Sequence, residues 1–155
     1  ATIRAHWPTY LELFAIAGWQ PADVERLALE SFEHLREWWP EGAAEVAALA
    51  DGAELDLWVS AALAARTELL VANSPAAKEC TILATVEPAT MAQVWDWHRE
   101  LSTAWHAQVV TGGRLAHAGV TEHGMCTKVG MNEAGVGVLL AILSHADDRP
   151  VGSDG

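Results

Sequence analysis

Basic residues are scarce in this chain. Nine lysines and arginines stand against 21 acids, leaving a formal charge of −12 over 155 residues. No lysine or arginine cluster exists to meet phosphates, which excludes nucleic-acid binding and attraction to an anionic membrane. Cysteine is nearly absent, with only Cys80 and Cys126. A disulfide framework needs more, so a reducing compartment is expected. No uninterrupted apolar run has spanning length, and no charged, apolar, cleavable leader opens the sequence at Ala1. The cytoplasm is therefore the default location. Phenylalanine and tyrosine are also rare, two and one, against eight tryptophans. Such an excess serves either large core positions or an aromatic pocket for an apolar acyl group or ring. About half the residues are hydrophobic, which marks a globular chain with a core and not a disordered one.

The periodicity changes near residue 75. Before it, the pattern is helical. Pro8 and Thr9 precede a short amphipathic helix over Tyr10–Ile16. Pro21 opens a second helix with a stripe through Val24, Leu27, Ala28, Phe32, Leu35 and Trp39, which Pro40 and Gly42 stop. A third helix is expected over Glu45–Ala50, broken by Asp51-Gly52, and a fourth over Leu55–Val71, ended by Asn73-Ser74-Pro75. From Cys80 onward the pattern is strand-like. Thr81–Val86 and Met91–Trp97 form one hairpin about Glu87–Thr90. Trp105–Thr111 and Arg114–Val120 form a second about Gly112-Gly113, a pair suited to a tight two-residue turn. Met125–Met131 and Gly135–Leu143 follow, with a turn at Asn132–Ala134, and a polar tail runs from Asp147. The expected class is α+β, with residues 1–79 helical and 80–155 an antiparallel sheet covered by those helices.

Four stretches lift the sequence above this generic description. They are Ala50-Asp51-Gly52-Ala53 with Asp56-Leu57, then Ala65-Arg66-Thr67-Glu68-Leu69, then Cys80-Thr81 with Gln93-Val94-Trp95-Asp96-Trp97, and finally Thr121-Glu122 through Lys128-Val129-Gly130-Met131-Asn132-Glu133-Ala134-Gly135-Val136-Gly137. In this order and spacing they resemble the isopenicillin-N acyltransferase-like (acyl-CoA:6-aminopenicillanic acid acyltransferase) family of N-terminal-nucleophile hydrolases. The resemblance implies an αββα sandwich, of which this chain would be a part. It implies a zymogen that cuts itself before Cys80, so that 1–79 becomes a propeptide or α chain and 80–155 the first part of a catalytic β chain. It further implies hydrolysis of an amide, or transfer of an acyl group to an amine, through a thioester on Cys80. No cofactor or metal is implied.

A terminal cysteine suits this chemistry. A thiol has a pKa of about 8.5 and needs a base. A free α-amine, at about 7.7–8.0, supplies one on the same residue. By the resemblance, Asp96 matches the aspartate of the family's Asn-Trp-Asp motif and orients that amine or binds substrate; the alternative is a strand-end carboxylate in a structural hydrogen bond. Thr81, Trp95 and Trp97 are candidates for the wall of a substrate pocket, with plain core packing the alternative for the two tryptophans. Trp95 and Trp97 would share one strand face by two-residue alternation. Two positions depart from the family. Glu79 stands where glycine precedes the cysteine, and an uncut chain would fit that departure; Val94 replaces the asparagine. Arg66 and Glu68 read as an interface or buried ion-pair feature. Lys128, Gly130, Asn132, Gly135 and Gly137 read as architectural. An asparagine for the oxyanion and an arginine near the site lie in the second half of family members, so the remaining β-chain segment is an expected partner, beside a small amide or acyl substrate; a homo-oligomer stays open. Two rival readings remain. One is a catalytically inactive relative serving as an interaction domain. The other is a metal site built from His98, His106, His117, His123, Cys126 and His145, in which His123-Gly124-Met125-Cys126 has zinc-like spacing but no second matching pair.

Overall fold

The computed structural model describes residues 2–71 and 80–142. The expected break at Asn73–Pro75, the processing residue Glu79, His145 and the polar tail lie outside these residues.

Among the described residues, five α-helices come first: α1 (Thr2–Ile16), α2 (Pro21–Trp38), α3 (Pro40–Ala53), α4 (Leu57–Ala64) and α5 (Arg66–Val71). Six strands follow: β1 (Cys80–Thr85), β2 (Thr90–Trp95), β3 (Trp105–Val110), β4 (His117–Glu122), β5 (Val129–Asn132) and β6 (Gly137–Val138). A 3-10 turn at Arg99–Leu101 joins β2 to β3. The protein is thus a mixed helix-and-sheet fold with two antiparallel sheets, β1-β2 and β3-β4-β5-β6. No helix among the described residues is long and apolar enough to cross a membrane.

The helical half departs from expectation at its boundaries. α1 begins at Thr2, not Tyr10, and carries Pro8 inside it. Proline there removes a backbone donor, but Ile3, Trp7, Tyr10 and Phe14 continue one apolar stripe into the core, and packing outweighs the local penalty. Pro40 ends α2 and also opens α3. Gly42 does not stop a helix. It lies inside α3, at a position where a Cβ would run into the Trp39 ring. Asp51 and Gly52 remain helical, and the stop comes at Glu54, whose φ of 51° closes the helix in left-handed conformation. The long fourth helix divides at Ala65, where no breaker residue marks the sequence and where Arg66 enters the interior.

The strands hold their order with adjusted ends. β2 stops at Trp95, so Trp97 lies beyond the strand and does not share its face by alternation. The β3–β4 connection spans residues 111–116 and is not a two-residue turn. Ala116 is drawn away from β3 by Glu133, through its amide to the carboxylate at 3.1 Å and its carbonyl to the Glu133 amide at 2.9 Å. Asn132 closes the β5–β6 turn by accepting from the Ala134 and Val136 amides at 3.1 and 3.0 Å.

The core joins α1, α2, α4 and α5 to Leu101 and Ala104 just ahead of β3. The four-stranded sheet is unusual in its polarity. Register and alternation put His106, Gln108, His117, Gly119, Thr121, Gly130 and Asn132 on one face. That face looks toward α1 and α3, since Thr2, Glu45, Leu49, His106 and Gln108 border a common cleft. The opposite face carries Trp105, Ala107, Val109, Ala118, Val120, Val129 and Met131 and ends in the buried Glu122 opposite Trp105; Val109 and Met131 are 74% and 58% exposed. The apolar side of this sheet is its outer side. Part of the β1-β2 hairpin borders it. Met91 of β2 reaches toward Gly137, and Gln93 holds the Leu140 backbone through bonds of 2.6 and 3.1 Å.

Candidate functional site

Cys80 opens β1 and pairs with Trp95, the last residue of β2. Its thiol is free and half-buried. Asp96, exposed, follows Trp95 immediately and so flanks the amino-terminal end of β1. Thr81 is exposed opposite Val94. A cleft of about 400 Å3 lies beside the hairpin, walled by Trp95, Trp97, Trp105 and Val120, with His98 and Arg99 at its edge. Of the three residues named as a candidate pocket wall, Trp95 and Trp97 line this cleft. Thr81 is not in the lining, and neither Cys80 nor Asp96 contributes to it. Trp97 reaches the cleft from the segment after β2, which is why strand alternation did not describe it.

Behind the two indoles is a buried polar cluster. Glu122, at the end of β4, accepts hydrogen bonds from the Tyr10 hydroxyl and the Arg66 guanidinium, and Lys128 Nζ lies 3.2 Å from the same carboxylate. All four groups are almost fully withdrawn from solvent. Arg66 also donates to Thr67 Oγ1 at 2.9 Å. The cations lie on tryptophan rings: Arg66 Cζ is 4.2 Å from the Trp97 centre, and Lys128 Nζ is 4.0 Å from Trp95 and 5.4 Å from Trp97. Burial pushes the Tyr10 phenol above its usual range, against the opposing pull of Arg66 and Trp97. Arg66 is thus a buried ion-pair residue, whereas Glu68 is exposed and takes no part in the pair. Lys128, read as architectural, is in direct contact with the aromatic wall. Tyr10 and Glu122 carry no local sequence signal of this pairing. The one hint is a carboxylate in line with Ala118 and Val120 on the apolar side of β4.

The histidines assemble elsewhere. His6 of α1, His123 and His106 of β3 stack face to face, with ring centres 5.5 and 5.0 Å apart and planes within 14° and 11°. His6 Nδ1 is 3.0 Å from the Thr2 carbonyl, and His106 Nε2 is 3.2 Å from Gln108 Oε1. Burial lowers the His123 pKa, reinforced by His106 and His6. Parallel rings do not converge their nitrogens on one point, and among the described residues no group of three or more His, Cys, Asp or Glu side chains could hold a metal ion. His117 bonds Thr127 Oγ1 at 2.7 Å, and His98 packs edge-on to Trp97. Cys126 is half-buried, its thiol pushed up to about 12 by burial and the neighbouring Glu45.

No family model and no curated protein matches the chain.

Proposed function

We propose that the protein is a cysteine amidohydrolase or N-acyltransferase of the N-terminal-nucleophile type, acting through Cys80. The observation that carries this reading is the position of Cys80: a half-buried free thiol on the first residue of β1, directly across from a tryptophan that walls a ligand-sized cleft. The sulfur is half-buried, and its cross-strand partner, not Cys80 itself, lines that cleft.

In this reading the Cys80 thiol first attacks the carbonyl of residue 79. The peptide C–N bond breaks, the Cys80 nitrogen leaves as an amine carrying the thiol proton, and water hydrolyses the thioester. The freed amine then acts as base. It takes the thiol proton as sulfur attacks a substrate amide and returns it to the leaving amine. Water or a second amine resolves the resulting thioester, giving hydrolysis or transfer. Asp96, next to Trp95 in the rung that Cys80 opens, is suited to hold the ammonium form of that amine.

The αββα sandwich draws support from the sheet's exposed apolar face. Trp105, Val109 and Met131 have the pattern of a surface made for a second sheet, and β1-β2 begins to supply one at one margin. The rest of that second sheet, with the oxyanion donors, would come from the remaining β-chain segment. The same face favours a second reading, an inactive relative serving as an interaction domain.

An intact mass spectrum of the purified protein tests the first reading. Two pieces meeting between residues 79 and 80, and a single piece in Cys80→Ala, are expected. Wild-type protein that stays in one piece and turns over no amide or thioester would leave the interaction-domain reading in its place.

A further inference from the structure

The cleft beside the hairpin has a chemical character independent of any reaction at Cys80. Its volume of about 400 Å3 falls within the range of small-molecule sites. Three indoles, Trp95, Trp97 and Trp105, dominate its wall. An open indole face ordinarily attracts cations, because its π cloud is negative. Here that attraction is already met. Lys128 lies on Trp95 and Arg66 on Trp97, and both cations are buried and absent from the cleft lining, so they stand behind the rings. A ligand cation entering the cleft would approach two rings whose cation-binding role is taken, with two like charges close behind. An electron-rich ring would instead stack on indoles polarised in its favour.

The edge of the cleft repeats this preference. Arg99 lines it, is exposed, and forms no ion pair or side-chain hydrogen bond with a described residue. His98 stands beside it, edge-on to Trp97 at 4.8 Å. Glu100, the next residue, is not part of the lining. A guanidinium available to a ligand, in a chain of net charge −12, is a local exception to a field that otherwise favours cations.

We propose that this cleft binds a planar aromatic carboxylate, its ring stacked on Trp95, Trp97 and Trp105 and its carboxylate paired with Arg99. The test is calorimetric titration of the Cys80→Ala protein, which removes the nucleophile, with 2-naphthoate, 2-naphthylmethanol and 2-naphthylmethylammonium. The carboxylate should bind best, at least about tenfold more tightly than the ammonium, since the charge difference acts once in favour and once against. Arg99→Gln should weaken naphthoate by roughly fivefold and leave the alcohol unchanged. Trp105→Ala, at a half-exposed position, should weaken all three. Arg114→Gln, in the β3–β4 loop, should change nothing. Preference for the ammonium, no binding by any of the three, or equal loss of naphthoate binding in Arg99→Gln and Arg114→Gln would overturn the assignment. Cleavage before Cys80 has no bearing on these outcomes, so this inference and the proposed activity fail separately.

Discussion

Tyr10 donates its phenolic hydrogen to Glu122, 112 positions further along the chain. That bond joins the first helix to the end of β4, and Arg66 brings α5 to the same carboxylate. Nearly all of the cluster is dry, so its strength rests on every member being present. Glu122→Gln, which removes the charge facing Arg66 and Lys128, should cost about 3–5 kcal/mol. Tyr10→Phe, which removes one hydrogen bond to a charged acceptor, should cost about 1.5–3 kcal/mol. Urea denaturation measures both, and equal midpoints for Glu122→Gln and wild type would refute the account.

The two cysteines should differ in reactivity. Cys126 is half-buried beside Glu45 and its thiol is pushed up to about 12, so almost none is thiolate at neutral pH. Iodoacetamide at pH 7.5 should label Cys80 and spare Cys126, as peptide mapping would reveal. Faster labelling of Cys126 than of Cys80 would contradict the assigned environments.

Acidification should loosen the histidine stack. His123 has a lowered pKa in the folded protein, so the unfolded chain binds more protons in this range. Stability from this group is complete above the ordinary histidine pKa of about 6.5 and declines as pH falls through it, levelling once the folded form also protonates. His6 faces His123 from α1 and His106 from β3, while Glu45 of α3 borders the adjoining cleft. Denaturation midpoints between pH 7.5 and 5 should therefore fall more in wild type than in His123→Phe. Parallel pH profiles for the two proteins would remove the stack as a cause.

Gly119 and Gly130 oppose each other across β4 and β5. A Cβ on Gly130 would meet the Ala118 carbonyl and lie 2.9 Å from Gly119 Cα; one on Gly119 would meet the Val129 carbonyl and Thr127 Cγ2. Alanine at either position forces the strands apart and should cost about 1–3 kcal/mol. Gly113→Ala, with nothing within 4 Å, is the control and should leave the thermal midpoint nearly unchanged.

Local chemistry made much of this fold legible. Pro21 announces α2, the 80–95 hairpin follows from β-branched residues around a proline turn, and the Asn132 turn follows from its side-chain acceptor. Boundaries failed where a distant group decides them. Pro8 and Gly42 look like breakers until the Tyr10–Phe14 stripe and the Trp39 ring are set against them. The Gly112-Gly113 turn lengthens because Glu133 competes for Ala116. At the site, Trp95 and Trp97 could be named from sequence, but the cations stacked on them come from helix α5 and the β4–β5 connection. Tyr10 and Glu122 meet only through tertiary structure, and no spacing rule connects residues so far apart.

The outward-facing Trp105, Val109 and Met131 also have a calorimetric meaning. Water ordered over apolar surface raises heat capacity, and its release lowers it. Whatever settles on that face of the sheet, be it another segment or another molecule, must announce itself by a negative heat-capacity change on association, opposite in sign to what polar contacts alone would give.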